Sequence, residues 1–157
     1  MATFQEVRVV EEDFSLDAEA SAMRLRQGAS VGGYATFVGL VRGEPGVDTV
    51  LHLEHYPGMT ERALEEIVTQ AKARWPLQGV RVIHRHGPLA PGDRIVLVLA
   101  ASRHREAAFE AAAFLMDFLK TRAPFWKKES GLKGAQWVDA READDKAAAR
   151  WGTGEGG

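Results

Sequence analysis

The chain has 157 residues, 45% of them apolar, and a net charge of -2. That length supports one core rather than two. The charge balance gives no bulk reason to expect nucleic acid, so any anion site must come from local clustering. No cysteine is present, which excludes disulfides, thiolate metal sites and a cysteine nucleophile; sulfur chemistry would need a sulfur brought by another molecule. No run approaches the ~18 apolar residues of a membrane span. The acidic opening MATFQEVRVVEEDF lacks a charged-then-apolar signal pattern, so the expectation is a cytoplasmic protein with no membrane contact.

Alternation around Val7 and Val9 predicts a first strand over 6–12. A short helix is expected over 17–27, with Ala18, Ala22 and Leu25 inward and Gly28 as its stop. Residues 31–42 read as a long strand whose glycines, Gly32, Gly33 and Gly39, suggest bulges or close backbone approach. A loop over 43–48 leads to a strand over 49–56, ended by Pro57-Gly58. Thr60 is a candidate N-cap for a helix whose inward stripe is Leu64, Ile67, Val68, Ala71 and Trp75, closed by Pro76.

A strand over 80–86, a turn over 88–93 and an apolar, central strand over 94–101 follow. Ser102 is a candidate cap for a long helix over 103–121, and Pro124 prevents its continuation. Short strands are expected over 125–129 and 136–138, and a last helix over 144–151. The element order fits an α+β fold: one domain over 1–151 with a mixed or antiparallel sheet and packed helices, then a Gly-rich tail over 152–157.

The stretch LKTRAPFWKKE, 119–129, crowds Lys120, Arg122, Lys127 and Lys128 with no acid before Glu129. Clustered cations repel, so a fold gains little from them unless an anion binds. Each neighbouring positive charge also favours a neutral amine, moving a lysine from about 10.4 toward values useful for proton transfer. On the strand after Pro124, Phe125, Lys127 and Glu129 alternate with Trp126 and Lys128. The plainer alternative is a solvated basic turn at a helix C-terminus, where the dipole favours cations.

At the start of the same helix, His104 and Arg105 join free N–H groups in a plausible phosphate site. Arg105, Phe109, Ala112, Met116 and Lys120 share one helical stripe. One groove could therefore join a phosphate end to a lysine end, unless Phe109 and Met116 are core. Arg42, at a strand end beside a loop, is a third candidate. His84 with His86, and His52 with Glu54, share strand faces, but no third ligand has metal-site spacing.

Five stretches carry a resemblance to the molybdopterin synthase large-subunit family: TFVGLVR (36–42), LEHYPGMTERAL (53–64), VIHRHGPLAPGD (82–93), FLMDFLKTRAPFWKKE (114–129) and WVDARE (137–142). LEHYPGMT and LKTRAPFWK are its most specific strings. The resemblance implies an α/β hammerhead fold and a sulfurtransferase acting on cyclic pyranopterin monophosphate. Sulfur would arrive as a thiocarboxylate on the C-terminal glycine of a ubiquitin-like small subunit, in a heterotetramer built on a homodimer of this chain. It implies catalytic roles for Lys120 and Lys127. Arg42, His104, Arg105, Lys128 and Glu129 would line the substrate pocket, with Leu40 and Val41 supplying nearby backbone. Arg141 would reach the site of a neighbouring copy. No metal or redox cofactor is implied. The rival reading is a non-catalytic dimeric module that binds a phosphorylated ligand or an acidic C-terminal peptide.

Overall fold

Among the described residues the elements run in the order β1 (Val7–Val10), α1 (Leu16–Gln27), a 3-10 turn (Gly28–Ser30), β2 (Gly33–Leu40), β3 (Val50–His55), α2 (Met59–Arg74), β4 (Leu77–Arg85), β5 (Gly87–Leu89), β6 (Arg94–Ser102), α3 (Arg105–Arg122), β7 (Phe125–Ser130) and β8 (Gln136–Val138). The structure, a computed structural model, describes residues 6–43, 46, 50–130, 136–138, 149 and 151. Of the expected last helix only Ala149, which is helical, and Trp151 fall among these residues; the tail and Arg141 lie outside them. The strands make two four-stranded sheets, ordered β1-β4-β6-β2 and β5-β3-β7-β8. The first is mixed, since β1 and β4 run parallel while β4–β6 and β2–β6 are antiparallel. The architecture is the expected α+β.

β6 is central and buried from Ile95 to Ser102. Its side chains alternate between two apolar layers, which is why it reads as an unbroken apolar run. Val96, Val98 and Ala100 join the cluster under α2 and α3, with Leu64, Ile67, Val68, Phe114, Leu115 and Phe118. Leu99 and Ala101 pack with Ala20 and Met23 of α1, and Leu97 packs with Phe14 and Ile83. Burying each such side chain is worth about 1.5–3 kcal/mol, so the first sheet and its three helices carry most of the core.

The α2 stripe is the expected one: Leu64, Ile67, Val68 and Ala71 are buried. The α1 stripe is not. Ala20 and Met23 face inward, whereas Ala18 and Ala22 are exposed and Leu25 is 87% exposed. Both sets have helical spacing. The rotation agrees with the Glu19 contact to Arg81 beneath the helix.

Three local readings also change. Thr60 lies inside the first turn of α2 and does not cap it; the N-cap is Gly58, whose N–H donates to Glu61 Oε1 at 2.8 Å. Ser102 ends β6, and its hydroxyl donates to the Pro76 carbonyl at 3.1 Å. The α3 N-cap is His104, with no side-chain hydrogen bond to the helix. The expected turn over 88–93 is shortened by β5, which pairs with β3. Two of the three expected glycines allow close approach: a Cβ on Gly32, just before β2, would sit 1.8 Å from the Arg103 carbonyl oxygen, and one on Gly39 would sit 2.7 Å from Val96, whereas Gly33 has nothing within 4 Å.

One buried ion pair ties α1 to the sheet. Arg81, its side chain 7% exposed, places Nε 3.1 Å from Glu19 Oε1, and Arg8 lies 3.4 Å from the other oxygen. Burial lowers the basicity of Arg81, and Glu19 opposes that effect. Glu19→Ala removes the carboxylate and leaves the buried guanidinium, so urea unfolding should show a loss of about 3–5 kcal/mol. A loss within the range of an exposed pair, under about 1 kcal/mol, would show that Arg81 does not depend on Glu19.

Candidate active site

The basic stretch 119–129 folds around a corner. Lys120 and Arg122 occupy the last turn of α3, and Ala123 leaves the helix with an extended backbone. The Phe125 N–H donates to the Ala123 carbonyl at 2.9 Å, closing a tight turn over Pro124. β7 then runs antiparallel to β3, with Lys127 opposite buried Leu53, Lys128 opposite His52 and Glu129 opposite Leu51. Lys120 is exposed. Arg122 lies 4.4 Å above the Phe118 ring, a cation–π contact within its own helix. The two lysine-bearing elements therefore meet at one corner, as the sequence suggested.

Arg42 belongs to the same end of the molecule. Leu40 pairs with Arg94 at the start of β6. Val41 then donates its N–H to the Asp93 carbonyl at 2.8 Å and accepts from the Gly92 N–H at 2.7 Å. Both main-chain groups of Val41 are thus used to fix where Arg42 leaves the strand. Two other arginines here meet Asp13: Arg94 in a close pair at 2.5 Å, and Arg85 at 3.9 Å. The Arg94 hydrogen bond holds the Asp13 carboxyl at about 2, below its ordinary 3.8. Arg42 is exposed and has no ion pair among the described residues.

His104 and Arg105 are exposed at the opposite end. β2 starts where β6 ends, Gly33 opposite Ser102, and Gly32 lies against the Arg103 backbone. α3 then runs back over β6 and β2. Its first residue, Arg105, and Lys120 are separated by about 22 Å along the axis at 1.5 Å per residue. The sequence stripe is only partly a surface one: Phe109 is 65% exposed, but Ala112 is buried in the core and Met116 packs against it. Within one chain, however, it separates Arg105 from the lysines by more than a small phosphorylated molecule spans.

The histidines are structural neighbours of the corner. His84 is buried, places Nδ1 2.8 Å from the Arg85 carbonyl, and stacks on Phe125 with ring centroids 4.0 Å apart. His55 and His86 lie 4.2 Å apart. Burial and then His86 lower the His55 pKa, with Glu61 opposing. Among the described residues, no three histidine or acidic side chains gather as a metal-ligand set. Sequence reasoning missed Thr60. Its hydroxyl is fully buried, accepts from the Tyr56 N–H at 2.9 Å and donates to the Pro124 carbonyl at 3.0 Å. The signal was its place in LEHYPGMT, which the capping reading explained away.

Known proteins resemble this chain over most of its length. The family model described as MoaE protein matches residues 9–122. A molybdopterin synthase catalytic subunit of Mesorhizobium japonicum is 56% identical over 148 residues, covering 92% of this chain and 92% of that protein. One from Escherichia coli is 59% identical over 122 residues, 76% of this chain and 81% of that protein. Among solved structures, a molybdopterin biosynthesis MoaE protein from Burkholderia ambifaria matches with TM-score 0.80 and 49% identity, covering 94% of this chain and 99% of that one. A molybdopterin synthase from Staphylococcus aureus matches with TM-score 0.78 and 28% identity, over 87% of this chain and 99% of that one.

The Asp13–Arg94 pair predicts an acid-side stability change at the Arg42 end. Asp13 has a depressed folded pKa, so its contribution is present above the unfolded value and disappears as pH falls from 3.8 through about 2. The pair is half exposed, which limits the effect to about 1 kcal/mol or less. Asp13→Asn should melt below wild type at pH 6, and the gap should close toward pH 2. A gap that does not change with pH would show that Asp13 stabilises by something other than its charge.

Proposed function

The chain belongs to the MoaE protein family, and from that premise we propose that it works as a catalytic subunit of molybdopterin synthase. It converts cyclic pyranopterin monophosphate to molybdopterin in two rounds, each taking one sulfur from the C-terminal thiocarboxylate of one ubiquitin-like small-subunit molecule and leaving that C-terminus as a carboxylate. The observation that carries this reading is the corner at Pro124, where α3 delivers Lys120 beside the strand of Lys127 and Lys128, at the end of the molecule that also holds Arg42. The absence of cysteine from the whole chain fits a division of labour in which the partner brings the sulfur. The catalytic names of the relatives favour an enzyme over a binding module.

In this reading the cations hold the precursor phosphate and neutralise the thiocarboxylate, so catalysis rests on positioning and electrostatic stabilisation. Lys120 transfers a proton at the reacting carbon or orients the thiocarboxylate, and Lys127 binds the pterin side or assists. Lys128 and Glu129 complete the strand side of the pocket, and the backbone of Leu40 and Val41 sets the position of Arg42. No metal or redox cofactor enters this scheme, and the protein works in the cytoplasm. Among the described residues no helix is long and apolar enough to cross a membrane.

His104 and Arg105 serve the site of a second copy. β2 is an edge of its sheet. Tyr34, Phe37 and Leu40 along it, and Phe109 on α3, are exposed large apolar residues, the kind of surface that partners cover. Two β2 edges related by a two-fold axis run antiparallel. The Arg105 end of one chain then lies beside the Arg42 and Lys120 end of the other. Arg141 belongs to the same cross-subunit set, with one small subunit serving each site of the heterotetramer. The proposed domain is 1–151, followed by the Gly-rich stretch 152–157.

Two experiments test this reading. Lys120→Ala should fold, bind the small subunit and lose at least about a hundredfold in product formation when thiocarboxylated partner and precursor are supplied. Lys120→Arg retains the charge but effectively never deprotonates, so an equally dead Lys120→Arg assigns proton transfer, and a largely active one assigns charge alone. Wild-type turnover in Lys120→Ala removes Lys120 from the chemistry. Shared sites are tested by mixing. Lys120→Ala and Arg105→Ala chains, each inactive, should regain about a quarter of wild-type activity after subunit exchange, since half the dimers carry one intact site. No recovery in verified mixed dimers would put Arg105 and Lys120 in the same chain's site.

A further inference from the structure

The two most specific strings of the sequence, LEHYPGMT and LKTRAPFWK, lie far apart in the chain, yet one buried hydroxyl joins them. Thr60 is fully buried. Its backbone N–H donates to the Tyr56 carbonyl at 2.9 Å, and the Tyr56 N–H donates back to Thr60 Oγ1 at 2.9 Å. The hydroxyl proton goes to the Pro124 carbonyl at 3.0 Å, across 64 residues of sequence. Neighbouring contacts reinforce the join: Tyr56 meets Trp126 edge to face at 3.8 Å, and His55 pairs with Phe125 across the strands.

A hydroxyl is both donor and acceptor, and here both capacities are used on main-chain groups of different elements. The Pro124 carbonyl is the corner between Lys120 and Lys127. A rotation there would swing β7 relative to α3 and change the spacing of the two lysines. The start of α2 is held by its own core stripe, Leu64, Ile67 and Val68. Thr60 thus transmits a fixed reference point to the one turn on which the lysine spacing depends.

We propose that Thr60 is a positioning residue for the sulfur-transfer reaction: its hydroxyl clasps the Pro124 corner and sets the separation of Lys120 and Lys127. The inference rests on the proposed role of that corner. It assigns Thr60 no contact with substrate.

The test is steady-state kinetics of the full chain with thiocarboxylated small subunit and cyclic pyranopterin monophosphate, normalised to folded protein by circular dichroism. Thr60→Val keeps the shape but removes the hydroxyl. Its kcat should fall by about tenfold to a hundredfold, the effect of an ångström-scale misplacement remote from the chemistry, with KM and small-subunit affinity changing far less. Thr60→Ser, which restores the hydroxyl, should recover kcat. Wild-type kcat in Thr60→Val overturns the proposal, as does a Thr60→Ser enzyme as slow as Thr60→Val. Should Thr60→Val not fold, Thr60→Ala replaces it, and failure of both to fold assigns Thr60 to stability alone and overturns the positioning role. Lys120→Ala separates the two levels. If it turns over normally, the reading of the corner fails; if it is dead while Thr60→Val is normal, only the clasp fails.

Discussion

A helix cannot pass through Pro124, because proline has no N–H to donate and its ring disfavours helical backbone in the residue before it. α3 therefore stops at Arg122, and the chain leaves through an extended Ala123 into β7. Most of the candidate chemistry depends on that stop. The lysine before it stands at a helix C-terminus, a place that suits a cation, and those after it lie on an interior strand of a sheet. A corner built from proline and held by a buried threonine leaves little freedom between them.

The other end of α3 is set by the sheet below. The helix has 18 residues and β2 has eight, so each spans about 26–27 Å at the usual rise per residue. Matched lengths bury the apolar side of α3 along β6 and β2, and they also place Arg105 and Lys120 at opposite limits of the layer. Burial of one face and separation of two charged ends follow from the same geometry. In the proposed two-fold assembly, that separation within one chain becomes proximity between two.

The charged groups around the site divide by burial. Arg81 is enclosed and depends on Glu19. Arg94 and Asp13 satisfy each other near the surface. Arg42, His104 and Arg105 remain exposed. Arg81 and Arg94 thus have acidic partners of their own, whereas Arg42 makes no ion pair among the described residues.

Much of this was legible in the sequence. Period-3.6 spacing determined the α2 stripe, an uninterrupted apolar run determined the central strand β6, and Pro124 determined the end of α3. The lysine cluster, the strand glycines and the specific strings pointed to the corner and to the family. Tertiary structure alone decided the rest. Ala18, Ala22 and Leu25 had the same helical spacing as Ala20 and Met23, so sequence spacing did not identify the inward set; packing against β6 did. Thr60 carried a capping signature, but a hydroxyl bonds whatever donor and acceptor the fold brings within reach, and here those came from Tyr56 and Pro124. Arg105 and Lys120 shared a helical stripe, which records angle and not distance along an axis. Sequence patterns report what is local and periodic. Which distant groups meet is decided by how whole elements pack.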